Sequence, residues 1–178
     1  MFSHVMLLAL ALHLNAAQST AAFSIKHFVF GSVHGTMKVA SVDMPVQPGS
    51  ALPASVDAVI DVASVNTSEK DRDADLRSDE WFDVARFPTM HFTSTRIEPS
   101  KSQNAFRVIG TLTLHGISKE LPLDVTVTGT PDHYHYVAST SFDRRDFGVD
   151  APKKTMRGNL FVGTGVTVRI DLDMVEAQ

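Results

Sequence analysis

Apolar and polar side chains alternate at every second position through segment after segment of this chain, and no other feature restricts its fold as strongly. That period puts neighbouring side chains on opposite faces of an extended strand. Ala21, Phe23, Ile25 and His27 alternate with Ala22, Ser24, Lys26 and Phe28, and Val56, Ala58, Ile60 and Val62 alternate with Asp57, Val59 and Asp61. Phe106, Val108, Gly110, Leu112 and Leu114 alternate in the same way with Arg107, Ile109, Thr111 and Thr113. The pattern returns at Leu121, Leu123, Val125 and Val127, and again at Val166, Val168, Ile170 and Leu172. Further strands are expected at 33–42, 89–97 and 134–142. About eight strands separated by Gly, Pro and Asn punctuation predict an all-β sandwich or barrel.

The period changes between the third and fourth of these strands. The charged stretch from Glu69 to Val84 carries Leu76, Trp81, Phe82 and Val84, which suits one or two short helices with an apolar edge, stopped by Pro88. Pro45, Pro48, Gly49 and Pro53 make the connection after the second strand a loop, and 143–159 is the longest other irregular stretch. Gly163 and Gly165 read as a tight turn or bulge at the start of the last strand. With 178 residues, 43% of them hydrophobic, and no internal repeat, the chain fits a single domain with a real core.

Composition excludes several chemistries. A formal net charge of -4 supplies no broad basic field for nucleic-acid phosphates. With no cysteine there is no disulfide framework, thiolate nucleophile or cysteine metal site. The apolar run from Val5 to Leu14 is too short to span a bilayer and suits the hydrophobic region of a signal peptide. Residues 1–11 are therefore expected to be a signal segment, with cleavage somewhere between residues 11 and 22, residues 12–178 to form the domain, and the location to be periplasmic or secreted. A cut after Ala22 would take the first half of a strand with it, which favours the earlier one. The alternative is that the run is the first buried segment of a cytoplasmic domain.

The groups that could carry catalysis form no recognisable constellation. The chain has 8 histidines, of which His133 and His135 share a strand face, but no third metal ligand is expected beside them. His27 and His115 stand at the ends of apolar strand faces, where a hydrogen-bonded structural role is the simpler reading. Asp71, Asp73 and Asp75 are expected to form the solvated face of the charged helix. No G-x-S-x-G elbow, P-loop or dinucleotide fingerprint is present.

Several ordered blocks point to a family. Gly110 to Lys119, reading GTLTLHGISK, with Leu121-Pro122-Leu123 after it, closely resembles the central signature of the YceI-like proteins. Arg72 to Phe92, reading RDADLRSDEWFDVARFPTMHF, resembles a second block of that family, and Phe23 to His27 with Gly35, Arg145 to Val149 (RDFGV), Ser64 and Thr67 agree in order. Gln18-Ser19 stands where the family usually has a His-Ser pair, and Met37 stands where an aromatic residue is common. The resemblance implies a single antiparallel eight-stranded lipocalin-like barrel, with one or two short helices between strands three and four, that is exported and encloses a polyisoprenoid or isoprenoid-quinone chain.

On that reading the protein is not an enzyme and needs no metal or cofactor. Its partner is a long-chain isoprenoid lipid, held for sequestration or transport, with a second copy of the chain left open. The residues expected to line the lipid site are Phe23, Ile25, Val56, Ile60, Phe92, Val108, Leu112, Val125, Val168 and Ile170; the same face could instead pack solid. Arg72, Arg77 and Arg145 are candidates to hold a polar head group at a barrel mouth, their simpler role being to cap and pair with Asp71, Asp73 or Asp146. The rival functions are a ligand-free structural or stress-response barrel, and a histidine- or metal-dependent enzyme acting on an isoprenoid.

Overall fold

The computed structural model describes residues 12–27, 31–102, 104–150 and 162–176. The expected signal segment, Phe28 and the later part of the irregular stretch after residue 150 lie outside the described residues. The strands are β1 (Leu12–Leu14), β2 (Thr20–His27), β3 (Gly31–Asp43), β4 (Asp57–Asn66), β5 (Thr89–Pro99), β6 (Ala105–Leu114), β7 (Ile117–Thr130), β8 (His133–Asp143) and β9 (Val162–Glu176). One helix, α1 (Lys70–Arg77), lies between β4 and β5, and a 3-10 turn (Arg144–Phe147) follows β8.

The strands run antiparallel in the order β1-β9-β2-β3-β4-β5-β6-β7-β8, and β8 also pairs with β9. That last pairing decides between sandwich and barrel: β2 to β9 close into an eight-stranded ring, which removes every free edge among them. The short β1, not foreseen in the sequence, pairs with the far end of β9, Leu12 opposite Glu176. It is joined to β2 by a turn in which the Ser19 hydroxyl donates to the Asn15 carbonyl and accepts from Asp173 N–H, both at 2.9 Å.

Local chemistry accounts for the corners. Between β6 and β7, His115 (φ 52°) and Gly116 (φ 74°) form a two-residue loop in the left-handed region, the geometry that matches the twist of a hairpin. His115 thus serves the turn, and its ring meets Phe87 edge-on at 4.8 Å. Opposite Gly163 and Gly165 the β2–β9 register slips between Ile25 and His27, the bulge those glycines suggest. A second slip, in β3–β4, is bridged by the Ser64 hydroxyl, which accepts from Lys38 N–H at 2.7 Å and donates to the Asp61 carbonyl at 2.5 Å.

The charged segment folds as one helix followed by turns. Its carboxylates do not all face water: Asp73 is buried, accepting from Thr67 N–H at 2.8 Å and from the Thr67 hydroxyl at 2.5 Å. The expectation of a solvated face fails at this position. The helix follows a tight corner at Ser68 (φ 63°), so its first turn doubles back over the end of β4 and needs a buried acceptor there. Asp71 and Asp75 are exposed as expected.

The register gives the barrel two different ends. At one, the helix end, lie α1, the β6–β7 hairpin and the 3-10 turn. At the other, the strap end, residues 44–56 cross the start of β8, held by the pairing of Val46 with Pro53 and by a 3.0 Å hydrogen bond from the Tyr136 hydroxyl to the Ala51 carbonyl.

Candidate functional site: an apolar cavity with one charged end

A cavity of about 430 Å³ runs inside the barrel. Its size falls within the range of roughly 300–1,000 Å³ typical of ligand sites. The barrel is therefore hollow, which the strand pattern alone could not decide.

All the residues expected to line a lipid site, Phe23, Ile25, Val56, Ile60, Phe92, Val108, Leu112, Val125, Val168 and Ile170, stand on the wall of this one cavity. They come from β2, β5, β6, β7 and β9, from β4 and from the residue preceding it. The same side of each strand faces inward all the way around, so the pleat brings them together. Two glycines make room for rings among them: Phe23 lies over Gly35 and Phe92 over Gly110.

The three expected arginines separate. Arg72 lines the cavity, while its guanidinium donates from Nε to the Thr67 hydroxyl at 2.8 Å and from Nη2 to the Thr67 carbonyl at 2.9 Å. Arg77 is not part of the wall; it donates to the Ala63 and Val65 carbonyls at 2.8 and 2.6 Å, tying α1 to β4. Arg145 is not part of the wall either; it pairs with Asp143 at 2.7 Å on the exterior. The Arg145 guanidinium beside Asp143 holds that carboxyl far below the usual carboxylate range. These two are anchors of local structure.

The sequence reading passed over Arg144, the neighbour of Arg145. Its side chain is 7% exposed and lines the cavity. It donates to the Val149 carbonyl at 2.6 Å and the Gly163 carbonyl at 3.2 Å, approaches Asp150 at 3.5 Å, and lies 5.3 Å above the Trp81 ring. Burial pushes the pKa of this guanidinium down, against the opposing charges of Asp150 and Asp143. A signal for it existed. Tyr136, Ala138, Thr140 and Phe142 all face the cavity at even positions, and Arg144 continues that series beyond the strand.

Arg72, Asp75 and Arg144 are the charged residues among the described cavity wall, and all three belong to the helix end. The remainder is almost wholly aliphatic or aromatic, with Met37, Leu76, Trp81 and Phe82 adding to it. The site is thus an apolar shaft with charge at one end. Such a shaft can hold a long hydrocarbon by burial while the charged end meets a polar group.

No histidine among the described residues lines this shaft. On the outer face His133 contacts Asp173 at 2.5 Å and His135 contacts Asp171 at 3.5 Å. No group of three metal-capable side chains occurs among the described residues. No helix among them is long and apolar enough to cross a membrane.

Residues 12–174 match the YceI-like domain. The chain belongs to the YceI-like family. A UPF0312 protein of Yersinia enterocolitica is 33% identical over 107 residues, covering 60% of this chain and 55% of the relative. The YceI protein of Salmonella newport is 32% identical over 110 residues, covering 62% and 56%. The chain thus spans little more than half the length of these two relatives. Among solved structures, Campylobacter jejuni YceI superposes with a TM-score of 0.72 at 26% identity over 86% of this chain and 90% of the other. Burkholderia cenocepacia BcnA gives 0.76 at 23% identity, covering 90% and 98%. A polyisoprenoid-binding domain from Saccharophagus degradans gives 0.68 at 21%, covering 94% and 99%. The last two likenesses establish a shared fold.

Proposed function

We propose that this YceI-like barrel binds a long-chain isoprenoid lipid, a polyprenyl chain or an isoprenoid quinone, and sequesters or transports it without chemical change. The observation that carries this reading is the apolar cavity of about 430 Å³ running the barrel with charge at one end only. Each buried methylene contributes about 0.8 kcal/mol, so a long chain gains affinity from length alone and needs no catalytic group. The likeness to a polyisoprenoid-binding domain supports the same chemistry. The head group is assigned to the helix end beside Arg72 and Arg144, with Phe23, Ile25, Ile60, Leu112 and the other wall residues along the tail.

The location proposed with this function is outside the cytoplasm, where an apolar chain must cross water between membranes. The apolar run that begins at Val5 supports export. Cleavage after Ala11 would leave β1 and its pairing with β9 intact, whereas cleavage after Ala22 would remove both.

The test is lipid mass spectrometry on protein purified from bacterial cells without detergent, beside a control barrel treated identically. A near-stoichiometric polyprenyl or quinone species absent from the control is expected. Bare protein that also takes up no polyprenol when mixed with it would sink the proposal in favour of a ligand-free barrel.

A further inference from the structure

The shaft has a floor. Toward the strap end its last wall residues are Met44, Phe106, Tyr136 and Leu172. The next inward positions on β8 and β9, Tyr134 and Met174, are 6% and 0% exposed and do not line the cavity. They sit opposite each other in register, as Tyr136 and Leu172 do one step deeper in the shaft. Hollow interior thus gives way to solid packing within one pleat of β8.

Tyr136 is fixed in place from three sides. Its hydroxyl donates to the Ala51 carbonyl at 3.0 Å, its ring meets Phe106 edge-on with centroids 6.3 Å apart, and Tyr134 lies 5.8 Å away on its other side. The strap holding Ala51 buries Val46, at 1% exposure, over the same end. A chain growing past this point would have to break the Tyr136 bond and displace a packed aromatic cluster. Methylenes inside the shaft add to affinity; those beyond the floor would add none.

We infer that the Tyr136–Phe106 floor sets the longest hydrocarbon tail the barrel accepts, making these two aromatic residues determinants of chain-length specificity. The inference rests on the lipid-binding reading above. From Tyr136 to Arg144 the strand path is on the order of 27 Å, which bounds the length of a tail held extended between them. The charged wall residues lie at the opposite end from this floor, so length and head-group selection are separate properties of the two ends.

The experiment presents the parent protein and two variants with an equimolar ladder of polyprenols from farnesol to undecaprenol. Protein-bound species are then identified by mass spectrometry. Phe106→Ala opens space continuous with the shaft, and its longest efficiently retained homologue is expected to be longer by one isoprene unit or more. Ala138→Phe sets a ring across the shaft one inward position above Tyr136, and its cut-off is expected to be shorter by a similar step. Circular dichroism confirms that each variant folds, and Ala138→Phe tests the idea by itself should Phe106→Ala not fold. A parent that retains prenols with the same cut-off in every folded variant overturns the floor alone. A folded parent that retains no prenol of any length overturns the lipid-binding reading, and the floor with it.

Discussion

The ring of Phe23 occupies the space that a Cβ on Gly35, its cross-strand partner, would need. A substitution at a residue with no side chain therefore reaches the cavity wall. Gly35→Ala is expected to drive the Phe23 ring into the shaft, costing about 1–3 kcal/mol and lowering lipid retention. Gly110→Ala should cost more, because its Cβ would meet the Thr93 carbonyl oxygen at 2.6 Å as well as the Phe92 ring, and backbone cannot swing aside. Urea unfolding of both variants ranks the two; equal midpoints would contradict the distinction.

Filling the shaft directly should separate binding from folding. Ile60→Trp or Leu112→Trp places an indole in a space that the lipid tail is proposed to occupy. Loss of co-purifying lipid with an unchanged circular dichroism spectrum is expected, and undiminished retention in both would count against the tail assignment.

Adjacent arginines should behave differently. Arg144→Ala leaves the Val149 and Gly163 carbonyls without their guanidinium donor in a buried site, at a cost of about 1–3 kcal/mol. Arg145→Ala breaks an exposed pair with Asp143, worth about 0–1 kcal/mol. Chemical denaturation of the two variants checks the ordering.

Acid sensitivity should depend on Thr67. Its hydroxyl bond to Asp73, aided by Thr67 N–H and by Arg77 and Arg72, holds that carboxyl below the usual carboxylate value despite burial. A depressed folded pKa means that the unfolded chain binds more protons in acid. The contribution of Asp73 is complete above a pH of about 3.9 and is lost as pH falls through the lower folded value. Thr67→Val is expected to flatten the fall of stability with pH in that acid window, read from urea midpoints at successive pH values. An unchanged slope would show that Thr67 does not set the Asp73 pKa.

Tyr136→Phe keeps the ring at the floor and removes its bond to Ala51. A loss of about 1 kcal/mol is expected. Amide exchange should also quicken in the strap, first at Ala54, whose N–H is bound to the Pro45 carbonyl at 2.8 Å. Exchange that quickened equally at the β6–β7 hairpin, at the opposite end of the barrel, would point to global loosening instead.

The cavity wall could be read from the chain because a strand has a fixed period. Once the alternation from Phe106 to Leu114 or from Val166 to Leu172 is seen, the side that must leave water is known, whichever residues lie opposite. The same rule, carried past the end of β8, reaches Arg144, yet the RDFGV block drew attention to Arg145. A charged residue at an inward position is justified only by partners outside its own strand, here Val149, Gly163 and Trp81. Asp73 was misjudged for the same kind of reason: a run of charge looks solvated until the corner at Ser68 turns the helix back over Thr67.

The sequence by itself determined which residues alternate, where the strands break and the family signature, since all of these depend on near neighbours along the chain. The tertiary structure decided that the sheet closes through β8 and β9, that its interior stays open, and that the opening stops at Tyr136. Those outcomes depend on how side chains from different strands fill a shared volume. Period fixes the direction in which a side chain points, and only packing fixes whether the facing side chains meet.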